Sequence, residues 1–384
     1  MKVLIATDWY TPVINGVVTS VLNLKRGLEA RGHEVKVLTL SVSRESVKDG
    51  NVYRVGSISA DKIYPNARII SALGGELVKE LIDWAPDVIH TQCEFSTFII
   101  ARKIARELKI PIVHTYHTIY EDYTHYFRLS RKFGGALART ATGWVSDMVD
   151  CIIAPTGKVR DLLSTYSVNA PVKVIPTGID IERFARQEAP TERAALRAAL
   201  GLSRDAKVLV SVCRLAAEKN IEELLRCFDA CRDKSIKLVL VGDGPHRKSV
   251  EKMIADMGLS ERVIMTGMIA PKAVPRYYRM GDLFVCASTS EAQGLTYIEA
   301  MASGLPTLCR SDECLDDLII NGENGWQYDT REEFVDYVDS FFADADICRI
   351  MSDNAISTSQ RYSIEAFAKK AEAAYLACLG RAVA

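Results

Sequence analysis

The chain has 384 residues, enough for two hydrophobic cores, and its composition is that of a soluble globular protein. It carries 48 basic and 49 acidic residues, so the overall charge gives no indication of a nucleic-acid partner. The ten cysteines include no CxxC pair, and several lie in apolar runs. This pattern argues against a zinc or redox motif and favours a reducing, cytoplasmic setting.

Short apolar runs alternate with helical patterns through the first half of the chain. Strands are predicted at residues 2–7, 34–40, 52–55, 87–90, 111–115, 151–154 and 172–175, and helices at residues 19–31 and 97–108. The opening run is too short for a signal peptide or a membrane span, so it is interpreted as a buried strand. Continuous apolar strands separated by helices predict a parallel sheet covered on both faces.

The same alternation begins again in the second half. Strands are predicted at residues 207–212, 237–241, 262–266, 283–287 and 306–309, and helices at residues 221–232 and 291–303. A turn-rich segment at 174–184 separates the halves, an exposed helix is expected within 186–201, and a docked helix at 364–379. We therefore predict an α/β fold of two Rossmann-like, doubly wound domains that face a cleft.

The sharpest motif is Ser290-Glu-Ala-Gln-Gly-Leu-Thr296, which joins the strand predicted at 283–287 to a helix. Amides at a helix N-terminus bind anions with help from the helix dipole, so Gly294, Leu295 and Thr296 are predicted to cradle a diphosphate. Glu291 and Glu299 frame this segment and fit the hydroxyls of a sugar and a ribose. Taken alone, the pattern is explained equally well if Glu291 only interacts with the helix dipole and Glu299 is a solvated helix residue.

Two cations follow the strand predicted at 207–212. Arg214 and Lys219 come after its carboxyl end, where open α/β sheets bind ligands, and they are predicted to stabilise a leaving diphosphate. A Gly-Asp-Gly turn with Asp243 at its centre follows the next strand and is predicted to lie over the donor. The turn is a weaker signal, because ordinary turns have the same composition.

The first half offers Gly16 and His117. Gly16 lies between the first strand and the first helix without a GxGxxG pattern, and we expect it to let a donor phosphate or an acceptor approach the backbone. His117 follows the strand predicted at 111–115 and is a candidate sugar contact. His114 lies within that strand and no HExxH pattern is present, so no metal site is predicted.

A basic segment follows. Arg128, Arg131, Lys132 and Arg139 recur at helical spacing among large apolar residues. Such a helix is suited to an anionic membrane surface, and a solvated basic face of an ordinary helix accounts for the pattern equally well.

Taken together, these residues resemble the family-4 retaining glycosyltransferases of GT-B fold over nearly the whole chain. The residues that carry the resemblance are Gly16, His117, the segment 174–180, Arg214, Lys219, the turn 242–245, Glu291 and Glu299. The segment 291–299 and the tyrosine-rich stretch after His117 are similar to bacterial 1,2-diacylglycerol 3-glucosyltransferases. The chain departs from the family's usual Gly-Phe-Gly at residues 292–294, where it has Ala-Gln-Gly.

The resemblance implies a domain arrangement and roles for single residues. The acceptor-binding domain is expected at residues 1–172 with the helix at 364–384 returning to it, and the donor-binding domain at 173–363. Arg214 and Lys219 are expected to bind the donor diphosphate and Glu299 the ribose. Glu291 is expected to contact the donor sugar and His117 to lie near its reacting face.

The implied activity is metal-independent transfer of a hexose, with glucose from a UDP-linked donor expected, to an acceptor hydroxyl with retention of configuration. Diacylglycerol at the inner face of the plasma membrane is the expected acceptor, and no cofactor is expected. A glycan or small soluble acceptor, a nucleotide-sugar 2-epimerase and a non-catalytic sugar-nucleotide-binding module remain alternatives.

Overall fold

The computed structural model describes residues 1–61, 67–72, 75–119, 131–185 and 190–380, and for residues 131–138 and 190 it describes the backbone alone. The chain divides into two compact units. The first consists of Met1–Ile179 and Ile364–Ala384, and the second of Asp180–Ser363. Each unit has its own largely parallel sheet flanked by helices, which confirms the predicted α/β class and the two Rossmann-like domains.

In its described part the first unit contains an eight-stranded sheet and a separate two-stranded ladder. The strands are β1 (Lys2–Ala6), β2 (Glu34–Leu40), β3 (Val47–Asp49), β4 (Val52–Val55), β5 (Ser57–Ser59), β6 (Arg68–Ile70), β7 (Val88–Thr91), β8 (Ile112–Thr115), β9 (Cys151–Ala154) and β10 (Val172–Val174). The large sheet has the order β10-β9-β8-β7-β1-β2-β4-β3, and its strands pair in parallel except that β3 is antiparallel to β4. β5 and β6 form the antiparallel ladder.

The helices of the first unit cover both faces of its sheet. They are α1 (Gly16–Ala30), α2 (Glu76–Trp84), α3 (Ser96–Leu108), α4 (Arg131–Ser146), α5 (Gly157–Ser164) and the C-terminal α14 (Ile364–Cys378). Along β1, Val3 and Ile5 belong to one core, whereas Leu4 and Ala6 belong to another. Because successive strand residues face opposite sides, this division shows that the sheet is buried on both faces.

The C-terminal helix α14 packs against α1, and this confirms its predicted return to the first domain. The two helices approach closely at Gly27, where an added Cβ would lie 2.7 Å from the Cβ of Ala368. Near the other end of α14, the Tyr375 hydroxyl lies 2.7 Å from His90 Nδ1 on β7. The helix is thereby tied to the sheet by a buried hydrogen bond as well as by apolar contact.

The second unit contains six parallel strands in its described part. They are β11 (Val208–Val212), β12 (Lys237–Val241), β13 (Val263–Gly267), β14 (Leu283–Cys286), β15 (Thr307–Arg310) and β16 (Gly325–Tyr328). The helices are α6 (Ile181–Ala185), α7 (Pro190–Ala199), α8 (Ile221–Ala230), α9 (Arg247–Asp256), α10 (Val274–Met280), α11 (Leu295–Ala302), α12 (Arg331–Ala343) and α13 (Ala345–Ser359).

The strand order places a topological switch point in each sheet. In the second unit the order is β13-β12-β11-β14-β15-β16, so the chain changes direction across the sheet between β11 and β14. In the first unit the change occurs between β1 and β7. Open α/β sheets bind ligands at the carboxyl ends of the strands that flank such a point.

The boundary between the units lies after Ile179. The sequence analysis begins the second domain at residue 173, inside β10. That strand pairs with β9 from Val172 to Val174, so its backbone hydrogen bonds belong to the first sheet. Among the described residues, no helix combines the length and apolar character that a bilayer crossing requires.

Candidate active site

Two loops meet at the switch point of the second sheet. One follows β11 and contains Arg214 and Lys219, and the other follows β14 and contains Glu291 and Gly294. β11 and β14 are parallel neighbours, so their carboxyl ends lie at the same sheet edge. This adjacency brings together residues that are more than seventy positions apart in sequence.

An ion pair links the two loops. Lys219 Nζ lies 2.5 Å from Glu291 Oε1, and the two side chains are only 18% and 14% exposed. A second link is the Ser288 hydroxyl, which donates to the Glu218 carbonyl at 3.2 Å. Because both charges are largely shielded from water, loss of either partner would leave the other poorly solvated. The pair therefore fixes the positions of both loops.

Arg214 lies beside this pair but does not share in it. Its side chain is exposed and makes no hydrogen bond or ion pair with any residue in the part of the chain that the structure describes. Its backbone is held on both sides, because the amides of Cys213 and Leu215 donate to Val241 and Asp243 at 3.0 Å each. The loop thus presents an uncompensated cation on a fixed backbone.

The Gly-Asp-Gly turn after β12 packs against the same loop. A Cβ on Gly242 would lie 2.0 Å from the Cys213 carbonyl oxygen, and one on Gly244 would lie 2.3 Å from that of Leu215. Asp243 accepts from the Gly244 amide at 2.7 Å and pairs with Arg247 at 3.2 Å. Contact between the two loops therefore requires these glycines, whereas the sequence analysis attributes them to a turn over the ligand.

The predicted diphosphate cradle lies at the start of α11. Gly294 precedes the helix with φ of 72°, and a Cβ there would lie 2.3 Å from the Tyr297 ring. The helix begins at Leu295, four residues after the start of the helix predicted at 291–303. Within the described residues no oxygen accepts a hydrogen bond from the amides of Leu295 and Thr296, as expected for the first turn of a helix.

Glu299 is not a solvated helix residue. Its Oε2 accepts a hydrogen bond of 2.9 Å from the hydroxyl of Tyr278 on α10, a side chain with no solvent exposure. Burial raises the pKa of Glu299 to about 7, against the lowering effects of the Tyr278 hydrogen bond and the Arg183 charge. The carboxylate is therefore held in a fixed position and titrates near neutral pH.

In the first unit, polar side chains gather at the carboxyl ends of β7 and β8. His117 Nε2 lies 2.7 Å from Gln92 Oε1, and the Gln92 side chain is 2% exposed. Burial lowers the pKa of His117 to about 4, so the imidazole is neutral at pH 7. Because an amide oxygen only accepts, Nε2 carries the proton and Nδ1 remains an acceptor.

The neighbouring His114 completes this cluster. Its Nδ1 lies 2.8 Å from the Thr91 hydroxyl, and its Nε2 lies 3.3 Å from Glu94 Oε1. The sequence analysis names His114 without assigning it to a site, and it does not consider Gln92. The sequence does contain a signal that could have found these residues: residues 92–94 directly follow β7, which neighbours β8 in the sheet.

Asp8 is a further, half-buried carboxylate at this edge. It accepts from the amides of Ser96 and Thr97 at 3.0 and 2.7 Å and from the Thr97 hydroxyl at 2.6 Å. Burial raises its pKa despite these hydrogen bonds. The contacts satisfy amides in the first turn of α3, so Asp8 joins the end of β1 to the start of that helix.

Four of the predicted site residues are less closely defined. Gly16 is exposed as the first residue of α1, and the side chain of the preceding Asn15 caps the helix by accepting from Val18 at 2.9 Å. Arg131 and Lys132 belong to the start of α4, where the structure describes only the backbone, and Arg128 lies outside the described residues. Their predicted membrane role stays a prediction.

Comparisons with known proteins agree with this architecture. Residues 14–183 match the model for Glycosyltransferase Family 4, and residues 192–358 match that for Glycosyl transferases group 1. An alpha-monoglucosyldiacylglycerol synthase of Streptococcus pneumoniae is 39% identical over 83% of this chain and 73% of its own length. One of Acholeplasma laidlawii is 33% identical over 98% of this chain and 97% of its own length.

A solved structure gives the same picture of the fold. Anabaena HepE in complex with UDP and glucose matches with a TM-score of 0.76 at 18% identity, over 98% of this chain and all of that one. This likeness confirms the predicted GT-B fold.

The contact between Gln92 and His117 can be tested by substitution. Gln92→Glu places a carboxylate beside the imidazole, so the pKa of His117 is expected to rise from about 4. The measurement is an NMR titration of the histidine ring protons, with the His117→Asn variant to assign the signal. Gln360→Glu, which adds the same charge at an exposed position, is the control. An unchanged His117 titration in Gln92→Glu would contradict the contact.

The raised pKa of Glu299 predicts a pH effect on stability. Its pKa of about 7 exceeds the ordinary 4.5, so between these values the native state holds a proton that the unfolded chain has released. The free energy of unfolding therefore falls through this residue as the pH rises from 4.5 to about 7. We expect Glu299→Gln to show a smaller fall than the parent in denaturant titrations across this interval. Glu323→Gln, an exposed position, serves as control, and equal slopes for Glu299→Gln and the parent would refute the assignment.

Proposed function

The chain belongs to glycosyltransferase family 4, and on that premise we propose that it transfers glucose from UDP-glucose to diacylglycerol with retention of configuration. The observation that carries this proposal is the Lys219–Glu291 ion pair beside the exposed Arg214 at the switch point of the second sheet. Glucose and diacylglycerol are chosen because two relatives, 39% and 33% identical, are named alpha-monoglucosyldiacylglycerol synthase.

Arg214 and Lys219 take the donor diphosphate. Before the donor binds, Glu291 neutralises Lys219, and the arriving diphosphate replaces this carboxylate as the partner of the ammonium. Glu291 is then available to accept hydrogen bonds from hydroxyls of the donor sugar. The amides of Gly294, Leu295 and Thr296 add positive potential from the start of α11. We assign Asp243 to the donor as well, because its carbonyl accepts from the amide of Leu215, next to Arg214.

Glu299 accepts hydrogen bonds from the ribose hydroxyls of the nucleotide. One carboxylate can accept hydrogen bonds from both ribose hydroxyls and also from the Tyr278 hydroxyl, which donates to Oε2 at 2.9 Å. The ionised form accepts more strongly, so donor affinity weakens as the pH falls below about 7.

The reaction proceeds on one face of the sugar. The acceptor oxygen forms a bond to the anomeric carbon on the side from which the diphosphate leaves, and the acceptor proton passes to the departing phosphate oxygen. Arg214, Lys219 and the helix amides stabilise the charge that develops on the diphosphate, so the proposal assigns this task to protein groups and not to a metal.

His117 lies near the reacting face of the sugar. Its neutral imidazole offers Nδ1 as an acceptor for a sugar or acceptor hydroxyl, since Nε2 is held by Gln92. Gly16 allows the backbone at the start of α1 to approach the donor. The basic residues Arg128, Arg131 and Lys132 attract anionic lipid, and the enzyme acts as a peripheral protein on the cytoplasmic face of the plasma membrane.

A substrate panel tests this function. The protein is incubated with UDP-glucose, UDP-galactose or GDP-mannose, with and without diacylglycerol in anionic vesicles, and nucleotide release and glycolipid are measured. We expect UDP release from UDP-glucose that depends on diacylglycerol and yields the α-linked product. Release that depends instead on a soluble acceptor would remove the lipid assignment, and conversion of the donor sugar to its epimer would indicate the epimerase.

The two cations provide the sharpest test of the mechanism. Arg214→Ala and Lys219→Ala are each expected to lower kcat/KM by about 100-fold or more, because each removes a donor to the leaving diphosphate. Arg226→Ala, which removes an exposed arginine from the same unit, is the control. Arg214→Ala is expected to keep the parent's thermal unfolding midpoint, and near-parental activity in this variant would refute the role.

A further inference from the structure

One face of the first unit carries three large apolar side chains that are partly exposed to solvent. Phe95, Ile99 and Trp144 are 56%, 46% and 53% exposed. Phe95 and Ile99 lie one turn apart at the start of α3, and Trp144 of α4 packs 6.5 Å from Phe98, measured between ring centroids. These side chains form a single surface, which we call the α3 face. Single exposed apolar residues are ordinary, but a group of three with two aromatic rings marks a contact surface.

Cations continue the same face. The Arg102 guanidinium lies 5.8 Å from the centre of the Trp144 ring, and Arg106 follows one turn later on α3. Burial and the charge of Arg106 lower the pKa of Arg102. Between Arg102 and Arg106, Lys103 is exposed on the same helix.

No described residue forms an ion pair with these three cations. Two exposed arginines elsewhere do have carboxylate partners: Arg160 pairs with Asp161, and Arg226 with Glu222. The charge of the α3 face is thus left for an external anion.

Two aspartates border the face but are engaged elsewhere. Asp147 and Asp150 line a shallow concavity together with Arg102 and Arg106. Asp147 accepts from the Asn169 amide group at 2.8 Å, and Asp150 accepts from the Ile112 backbone amide at 2.8 Å. Neither forms a salt bridge with the arginines among the described residues, so both guanidinium groups remain available to an external anion.

We propose that the α3 face is the surface on which this protein contacts an anionic bilayer. Phe95, Ile99 and Trp144 enter the interfacial layer, while Arg102, Lys103 and Arg106 contact lipid phosphates. Exposed aromatic and aliphatic side chains bordered by unpaired cations match the chemistry of that layer, where apolar chains meet anionic headgroups. An acidic protein partner would match the charges, but it would not account for the exposed aromatic rings beside them.

The position of the face supports this inference, which rests on the proposed transfer to diacylglycerol. Phe95 directly follows Glu94, whose carboxylate lies 3.3 Å from His114 at the carboxyl end of β8. The apolar surface therefore begins beside the polar cluster that includes His117 and Gln92. We therefore place the entry of the lipid acceptor at Phe95.

Trp144 gives a direct readout of contact. Its fluorescence is obtained as the difference between the full-length parent and Trp144→Phe, which retains Trp9, Trp84 and Trp326. With vesicles of phosphatidylcholine and phosphatidylglycerol, we expect this difference signal to shift to shorter wavelength and to be quenched by lipids with brominated chains. A signal unchanged by anionic vesicles overturns the proposal.

Matched substitutions test the apolar and the charged parts separately. Ile99→Asn is expected to weaken vesicle partitioning about 10-fold, because it removes an inserted side chain. Ile350→Asn, at a comparably exposed position in the second unit, is the control. Arg106→Gln is expected to weaken partitioning about fivefold at low salt, with Arg226→Gln as its control. Equal partitioning of Ile99→Asn and Ile350→Asn overturns the proposal.

An activity measurement separates this inference from the proposed function. With diacylglycerol dispersed in detergent micelles, Ile99→Asn is expected to keep the parent's turnover, because the acceptor no longer has to be taken from a bilayer. Vesicle binding through the α3 face without any transfer to diacylglycerol would leave the surface standing and remove the acceptor assignment. Self-association through the α3 face without vesicle binding would overturn the membrane assignment in favour of a protein contact.

Discussion

The ion pair between Lys219 and Glu291 is the interaction on which the candidate donor site depends. Its two members stand at the ends of β11 and β14, and their charges are largely shielded from water. Removing one member of such a pair leaves the other as an uncompensated, poorly solvated charge, so the pair holds the two loops in fixed positions. Arg214 and the start of α11 take their positions from these same two loops. A diphosphate that replaces the carboxylate would meet a site that is already assembled.

The two units offer contrasting chemistry at their switch points. The second unit supplies charge, with two cations and two glutamates around the start of one helix. The first unit supplies neutral hydrogen-bonding groups, because burial keeps the His117 imidazole uncharged and Gln92 fixes its tautomer. Charge suits a nucleotide diphosphate, and neutral acceptors suit hydroxyl groups. This division agrees with a donor bound by the second unit and an acceptor bound by the first.

Glycine is required at several positions of this chain, for different physical reasons. Gly294 has a positive φ directly before α11 and leaves no room for a side chain beside the Tyr297 ring. Gly242 and Gly244 allow the loop after β12 to lie against the backbone of residues 213–215. Gly27 lets α14 approach α1 and so attaches the C-terminal helix to the first unit. Gly294 lies at the helix start to which the proposal assigns the donor diphosphate, whereas Gly242, Gly244 and Gly27 serve packing within each unit.

Hydrophobic pattern determined most of the fold from the sequence, because continuous apolar runs of the kind seen in β2, β9 and β12 are local properties of buried parallel strands. The same pattern located Arg214, Lys219, Glu291 and His117 after strand ends. Tertiary structure alone decided which of these meet: the Lys219–Glu291 pair, the Tyr278 hydrogen bond to Glu299, and the Gln92 contact with His117. These contacts join residues far apart in sequence, and burial, which sets the pKa of Glu299 and His117, belongs to the folded chain.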